Sequence, residues 1–165
     1  MLITAGDRGE LIPAQFERFA RLGDGIITTY LDDRECRLVR ERAAETLAKH
    51  RRALPDFPLC VYTTVRMGAD VATAERETRD FLAACYGGGV HMRGLMGLGP
   101  ADAVIAALTR YADAGVTDLC VRFVGDDQLA QLERFTKDVL PELVTLGGRD
   151  GPPKPPDARS APAKP

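Results

Sequence analysis

A chain of 165 residues, 45% hydrophobic and 28% charged, suits one globular domain. Its net charge of −2 argues against a nucleic-acid or other polyanionic partner, which would demand a basic face. No apolar run approaches the roughly 20 residues that cross a bilayer, and the opening Met1-Leu2-Ile3-Thr4-Ala5-Gly6-Asp7 lacks the features of a secretory signal, so the chain reads as cytoplasmic.

Taken in chain order, short apolar strands alternate with amphipathic helices. Leu2 to Ala5 reads as a short strand, and Pro13 to Leu22 as a helix presenting Phe16, Phe19 and Ala20 on one face. Gly25 to Tyr30 is a second strand. Asp32 and Asp33 suit the N-cap of a helix running from about Arg34 to Leu54, with Cys36, Val39, Ala43 and Leu47 at helical spacing and Pro55 and Pro58 closing it. Leu59 to Met67 is a third strand, rich in β-branched residues (Val61, Thr63, Thr64, Val65) that fit a buried sheet.

Asp70 caps the next helix, whose inner stripe is Val71, Ala74, Thr78, Phe81, Leu82 and Cys85, and Gly87-Gly88-Gly89 ends it. Pro100 fits a first helical position, where its missing N–H costs nothing. That helix carries Ala103, Val104, Ala107, Leu108 and Tyr111 on one face, and Gly115 suits the left-handed residue at its end. Thr117 to Val124 is a fourth strand. Asp126 and Asp127 then cap a final helix bearing Leu129, Leu132, Phe135, Val139 and Leu140, which Pro141 ends or kinks. Six of the last fourteen residues are proline, so the domain is read as residues 1–146 and residues 147–165 as a disordered tail. A proline-rich ligand for an SH3-type domain is the alternative reading of that tail.

Four strands, each followed by helix, imply parallel pairing through right-handed crossovers. Two architectures fit: a small doubly wound sheet, or half of an eight-stranded barrel that takes about 250 residues in full. The four cysteines, Cys36, Cys60, Cys85 and Cys120, form no Cys-x-x-Cys pair and are expected as buried reduced thiols. His50 and His91 lie in unrelated places, so no metal site is expected.

Four segments, in order, carry a resemblance. They are Gly97-Leu98-Gly99-Pro100-Ala101-Asp102-Ala103-Val104; Tyr111-Ala112-Asp113-Ala114-Gly115-Val116; Val121-Arg122-Phe123; and Phe135 with Val139-Leu140-Pro141-Glu142-Leu143. They resemble the C-terminus of the luciferase-like monooxygenase family. Upstream, Arg18-Phe19-Ala20-Arg21-Leu22-Gly23-Asp24-Gly25-Ile26 resembles the family's run joining the fifth helix to the sixth strand. The resemblance spans about residues 2–143. It implies an α/β fold of parallel (β/α) units, four strands making the C-terminal half of a TIM-type (β/α)8 barrel. It also implies an oxidoreductase or monooxygenase using FMN or a 5-deazaflavin on a small-molecule substrate. The family's first four strands, which hold much of the flavin ring pocket and commonly an active-site His or Asp, have no counterpart here, so no catalytic residue is assigned.

Active sites of such barrels gather at the carboxyl ends of the strands. The resemblance places the loop after the first strand near the cofactor phosphate, nominating Gly6, Asp7, Arg8 and Gly9. Glycine N–H groups and Arg8 suit an anion, Asp7 opposes one, and a plain surface turn fits the same residues. Thr28, Thr29, Arg66 and Arg122 are nominated for a substrate pocket; the threonines equally suit strand-end hydrogen bonding, while an arginine inside a barrel needs a partner. Gly97-x-Gly99 lacks a strand running into it and a third glycine, so it is not read as a dinucleotide loop. Gly87 to Gly89 reads as a hinge. Two further readings stay open: a non-catalytic half-barrel that covers its edges by pairing with itself, as a homodimer, or with a complementary half, and a flavodoxin-like binding domain.

Overall fold

The computed structural model describes residues 1–4, 6–7, 10–87, 94 and 96–147. The elements are β1 (Leu2–Thr4), β2 (Gly6–Asp7), β3 (Glu10–Leu11), α1 (Pro13–Leu22), β4 (Gly25–Thr29), α2 (Asp33–Lys49) and β5 (Leu59–Met67). They continue with α3 (Val71–Tyr86), β6 (Gly97–Gly99), α4 (Ala101–Asp113), β7 (Asp118–Phe123), α5 (Gln128–Asp138) and α6 (Leu140–Gly147). All pairings in the main sheet are parallel, and β2 pairs antiparallel with β3.

The strand β5 organises the sheet. Cys60, Val61 and Tyr62 pair with both β4 and β7, so those strands flank β5 on opposite edges. Val65 pairs with both Gly97 and Phe123, which puts β6 on the β4 edge, beyond the end of β4. Apart from β6, the strands of this sheet therefore run β1-β4-β5-β7, in chain order, as a (β/α) barrel requires. Four strands were expected; the short β6 and the β2–β3 hairpin are additions that the sequence left as loops.

Paired residues in parallel strands share a face, and successive residues alternate. Ile3, Ile26 and Leu59 are in register and buried, as are Thr28 with Val61. This face packs on helices through Phe16, Phe19, Ala20, Val39, Leu47, Val104, Leu108 and Phe135. Burying each such side chain stabilises the fold by about 1.5–3 kcal/mol. Phe19 meets Phe57 at 5.1 Å, and Phe123 meets Phe135 edge-on at 5.4 Å. On the opposite face Thr4, Ile27, Thr29, Tyr62, Cys120 and Arg122 are exposed or half-buried, while Cys60 and Thr64 are buried.

Local signals explain most boundaries. Asp32 and Glu35 form a reciprocal capping box at 2.8 Å in both directions, and the Thr73 N–H donates to Asp70. The helix α2 stops at Lys49 rather than near Leu54. Arg51 turns left-handed (φ 53°), the Arg52 N–H donates to the Leu47 carbonyl, and the Arg52 guanidinium donates to the Gly23 carbonyl at 2.6 Å. That side chain thus ties the turn to the end of α1. Pro141 breaks the last helix into α5 and α6, since it has no N–H to offer the ladder.

Three expectations are corrected. Asp127 sits at the N-cap of α5, but its side chain makes no capping hydrogen bond there. Leu129 and Leu132 are exposed, and Gln131 is wholly buried in their stead. The Gln131 amide explains this: it accepts from the Met67 N–H at 2.7 Å and donates to the Met67 carbonyl at 3.1 Å, holding α5 to the end of β5. Of the four free thiols, Cys36 and Cys60 are buried but Cys85 and Cys120 are exposed. Desolvation pushes Cys36 up to about 12. The tail read as residues 147–165 lies, but for Gly147, outside the described residues, as do Arg8, Gly9, His91, Gly88 and Gly89. No helix among the described residues is long and apolar enough to cross a membrane.

Gln131→Leu should therefore lower unfolding free energy by about 2 kcal/mol, because it strands a buried peptide group. Leu129→Ala, at an exposed site, should cost about 0.5 kcal/mol or less. Urea denaturation of the two variants checks the pair.

Candidate functional site

The carboxyl end of the open face carries the chain's most unusual polar group. Arg122 is in register with Thr64, so both project from the face opposite the helix-covered core. Arg122 donates from Nη2 to Thr64 Oγ1 and from Nη1 to the Tyr86 hydroxyl, each at 2.9 Å. Its guanidinium lies 5.3 Å from the Tyr62 ring centroid and 5.7 Å from that of Tyr86, within cation–π range. Nε is shut from solvent and has no acceptor among the described residues. Among the described residues, no carboxylate lies within ion-pair distance of Arg122.

Beside it, where β4 has ended and β6 has not begun, a cavity of about 10 Å³ is lined by Tyr30, Tyr62, Thr63, Thr64, Met96, Tyr111 and Arg122. Tyr30 holds a left-handed backbone (φ 60°), uncommon for an aromatic residue and the kind of local strain found at binding sites. Tyr111 fixes the following residue by donating from its hydroxyl to the Leu31 carbonyl at 2.8 Å. All four tyrosines of the chain thus meet at this end of the sheet. Sequence reasoning nominated none of them for the site. Tyr30 at a strand end and Tyr62 inside a strand were the available signals.

The nominated residues fall into separate places. Gly6 and Asp7 lie in the short strand β2, in register with Leu11 and Glu10, rather than in an open loop. Thr28 and Thr29 point to opposite faces. Thr28 is buried on the helix side, with its hydroxyl unpartnered among the described residues, while Thr29 shares the open face with Tyr62. Arg66 is engaged in a clasp: Nε donates to Glu77 at 2.8 Å, and Nη1 donates to the Val124 carbonyl at 3.2 Å and to Asp127. It joins α3 to the turn after β7. Gly125 in that turn has φ 102°, and a Cβ there would come within 2.6 Å of Arg66 Nη1, so the clasp needs glycine. Of Arg66 and Arg122, only Arg122 lacks a charged partner among the described residues.

Asp127 is the electrostatic hinge of the clasp. Burial pushes its carboxyl up, but hydrogen bonds from Arg66 and Gln131 and the Arg66 charge outweigh this and hold it below its ordinary 3.8. Asp33 is likewise raised by burial and lowered further by Arg110, which donates to it at 2.6 Å.

No family model matches the chain, and no curated protein does. Solved structures do. A coenzyme F420-dependent tetrahydromethanopterin reductase from Methanopyrus kandleri aligns with TM-score 0.62 and 15% identity, over 81% of this chain and 49% of its own. An F420-dependent secondary alcohol dehydrogenase aligns with TM-score 0.67 and 12% identity, over 86% and 47%. A long-chain alkane monooxygenase aligns with TM-score 0.60 and 15% identity, over 84% and 40%. The chain spans about half the length of the structures it matches. At these identities the likeness is one of fold: the parallel α/β arrangement of about half a luciferase-like TIM barrel, as the sequence resemblance implied.

Because the Asp127 carboxyl is held low in the fold, its stabilisation is complete above its unfolded value near 3.8 and is lost as pH falls through the folded value. Asp127→Asn should therefore be less stable at neutral pH, yet lose less stability than the parent between about pH 5 and about pH 2. Denaturant midpoints across that range measure both slopes.

Proposed function

We propose that the chain is half of a luciferase-like oxidoreductase barrel, and that it binds FMN or a 5-deazaflavin over the open face of its sheet. One observation carries the reading. A sheet in barrel strand order packs its apolar face on helices, and the opposite face, which α3 reaches through Glu77 and Tyr86, carries an arginine–tyrosine cluster at its carboxyl end, where barrel enzymes place their chemistry. The solved structures of like fold, among them F420-dependent enzymes and a monooxygenase, support the class.

The residues at hand fit such a group in part. Tyr62 and Tyr86 offer aromatic faces to a flat ring system, and Arg122, Thr29 and Thr64 offer donors beside them. The segment Gly6, Asp7, Arg8 and Gly9 follows β1 and is proposed for the cofactor phosphate. When bound, the cofactor supplies hydride or oxygen chemistry. The chain's own part is to orient it, to exclude water from one side, and to hold a small-molecule substrate near Thr29, Arg66 and Arg122.

Closure of the site calls for further strands. Among the described residues β1 pairs only with β4 and β7 only with β5, leaving two parallel edges. Exposed Leu2 and Leu22 lie on β1 and α1, and Leu140 and Val144 on α6, which packs with α4 and α5. A second copy of the chain, related by a twofold along the barrel axis, would join β7 of each copy to β1 of the other and close eight strands.

The chain should sediment as a dimer at micromolar concentration, with binding of FMN or the deazaflavin tracking dimer formation. Fluorescence titration across a dilution series reads this. Failure of both cofactors to bind at any protein concentration would refute the reading, and tight binding with turnover by a monomer would refute its half-barrel element.

A further inference from the structure

We infer that the Arg122 cluster is an oxyanion receptor, so that the substrate of the proposed site carries a carboxylate or phosphate. This deepens the reading above and rests on it for the word substrate, but the receptor itself stands on geometry.

A guanidinium has five N–H donors in a rigid fork. Tyr86 and Thr64 each take one, both through neutral oxygens, so the charge has no counter-ion among the described residues. The contrast within the same sheet is informative. Arg66, on the neighbouring β5 and near the same end, is neutralised twice, by Glu77 and Asp127. Arg122 is buttressed with comparable care, by two hydroxyls and two aromatic rings, yet its charge is kept free. A purely structural arginine in a half-buried strand position would be expected to meet a carboxylate, because burying an unpaired charge is costly. Here the buttresses fix the fork without spending it.

The surroundings leave room for one oxygen of such an anion. The adjoining cavity of about 10 Å³ has room for one oxygen-sized atom, and Arg122 forms part of its wall. The shielded Nε–H is a donor with no acceptor among the described residues, which an incoming oxygen would satisfy with a small shift of the flanking rings. Arginine suits carboxylate and phosphate because its fork meets two of their oxygens at once. Tyr62 and Tyr86 then restrict approach to the open side of the sheet.

The chain contains no tryptophan, and every tyrosine lies at this end of the sheet, so its ultraviolet emission reports on the site. Inorganic phosphate and acetate are titrated separately into the full chain at constant ionic strength, with chloride as the balancing salt. The expected result is a saturable change in tyrosine emission and a raised Tm with at least one of the two. The stronger probe identifies which oxyanion is preferred. Arg122→Gln should abolish the response. Arg122→Lys, which keeps the charge and so protects against a folding artefact, should weaken it by about tenfold because the fork is lost. No saturable response in the parent chain, or equal affinity in the parent and Arg122→Lys, overturns the inference. A flavin titration on the same samples keeps the two claims apart. Arg122-dependent anion binding without flavin binding upholds the receptor and refutes the proposed function, and flavin binding without Arg122-dependent anion binding does the reverse.

Discussion

The alternation of side chains along Leu59–Met67 is the constraint from which the remaining architecture follows. Leu59, Val61 and Val65 must be buried, and burying them draws the helices onto one side of the sheet. Register with β4 and β7 extends that choice across the strands, so Ile3, Ile26 and Leu59 form one row and Thr29, Tyr62 and Cys120 another, on the opposite face. A slip of one residue would drive Tyr62 and Arg66 under the helices and expose valines. The division into a packing face and a chemical face is thus a property of one strand, shared with its neighbours by hydrogen bonding.

The carboxyl end of β5 is where that strand is locked. Gln131 takes both polar atoms of Met67, Arg66 gathers Glu77, Asp127 and the Val124 carbonyl, and Asp127 in turn accepts from Gln131 and Arg134. Three elements distant in sequence are fixed there by polar contacts. That rigidity places Thr64 and Arg122 side by side a short way down the strands. The stable clasp and the unneutralised Arg122 are complementary features, one holding the frame and the other left available.

Much of this was legible from local chemistry. Asp32 and Asp70 announced their helices because an N-cap acts within three residues, Pro13 marked the start of α1, and Leu59 to Met67 read as a strand from its β-branched run. The buried face of α5 was misread because a hydrophobic pattern rewards Leu129 and Leu132 and cannot see that Gln131 will find a peptide group 64 positions away. The separation of Thr28 from Thr29 was within reach, since Ile26 and Thr28 share a face by simple alternation. Arg122 was visible as a charge inside a strand, but Thr64 and Tyr86, which define what it can do, lie 58 and 36 positions from it and gave no local sign. The likeness to the luciferase-like fold was carried by motifs along almost the whole chain, and the solved structures bear it out as fold.

The central claim is that the open face of the sheet, at its carboxyl end, is the functional surface. Ring-proton NMR of the aromatic residues during an FMN titration tests it most directly, because the two kinds of ring sit on opposite faces. The account predicts shifts in Tyr62 and Tyr86, with Phe19 and Phe57 unmoved beneath the helices. Shifts centred on Phe19 and Phe57, or none in any ring at saturating cofactor, would contradict it.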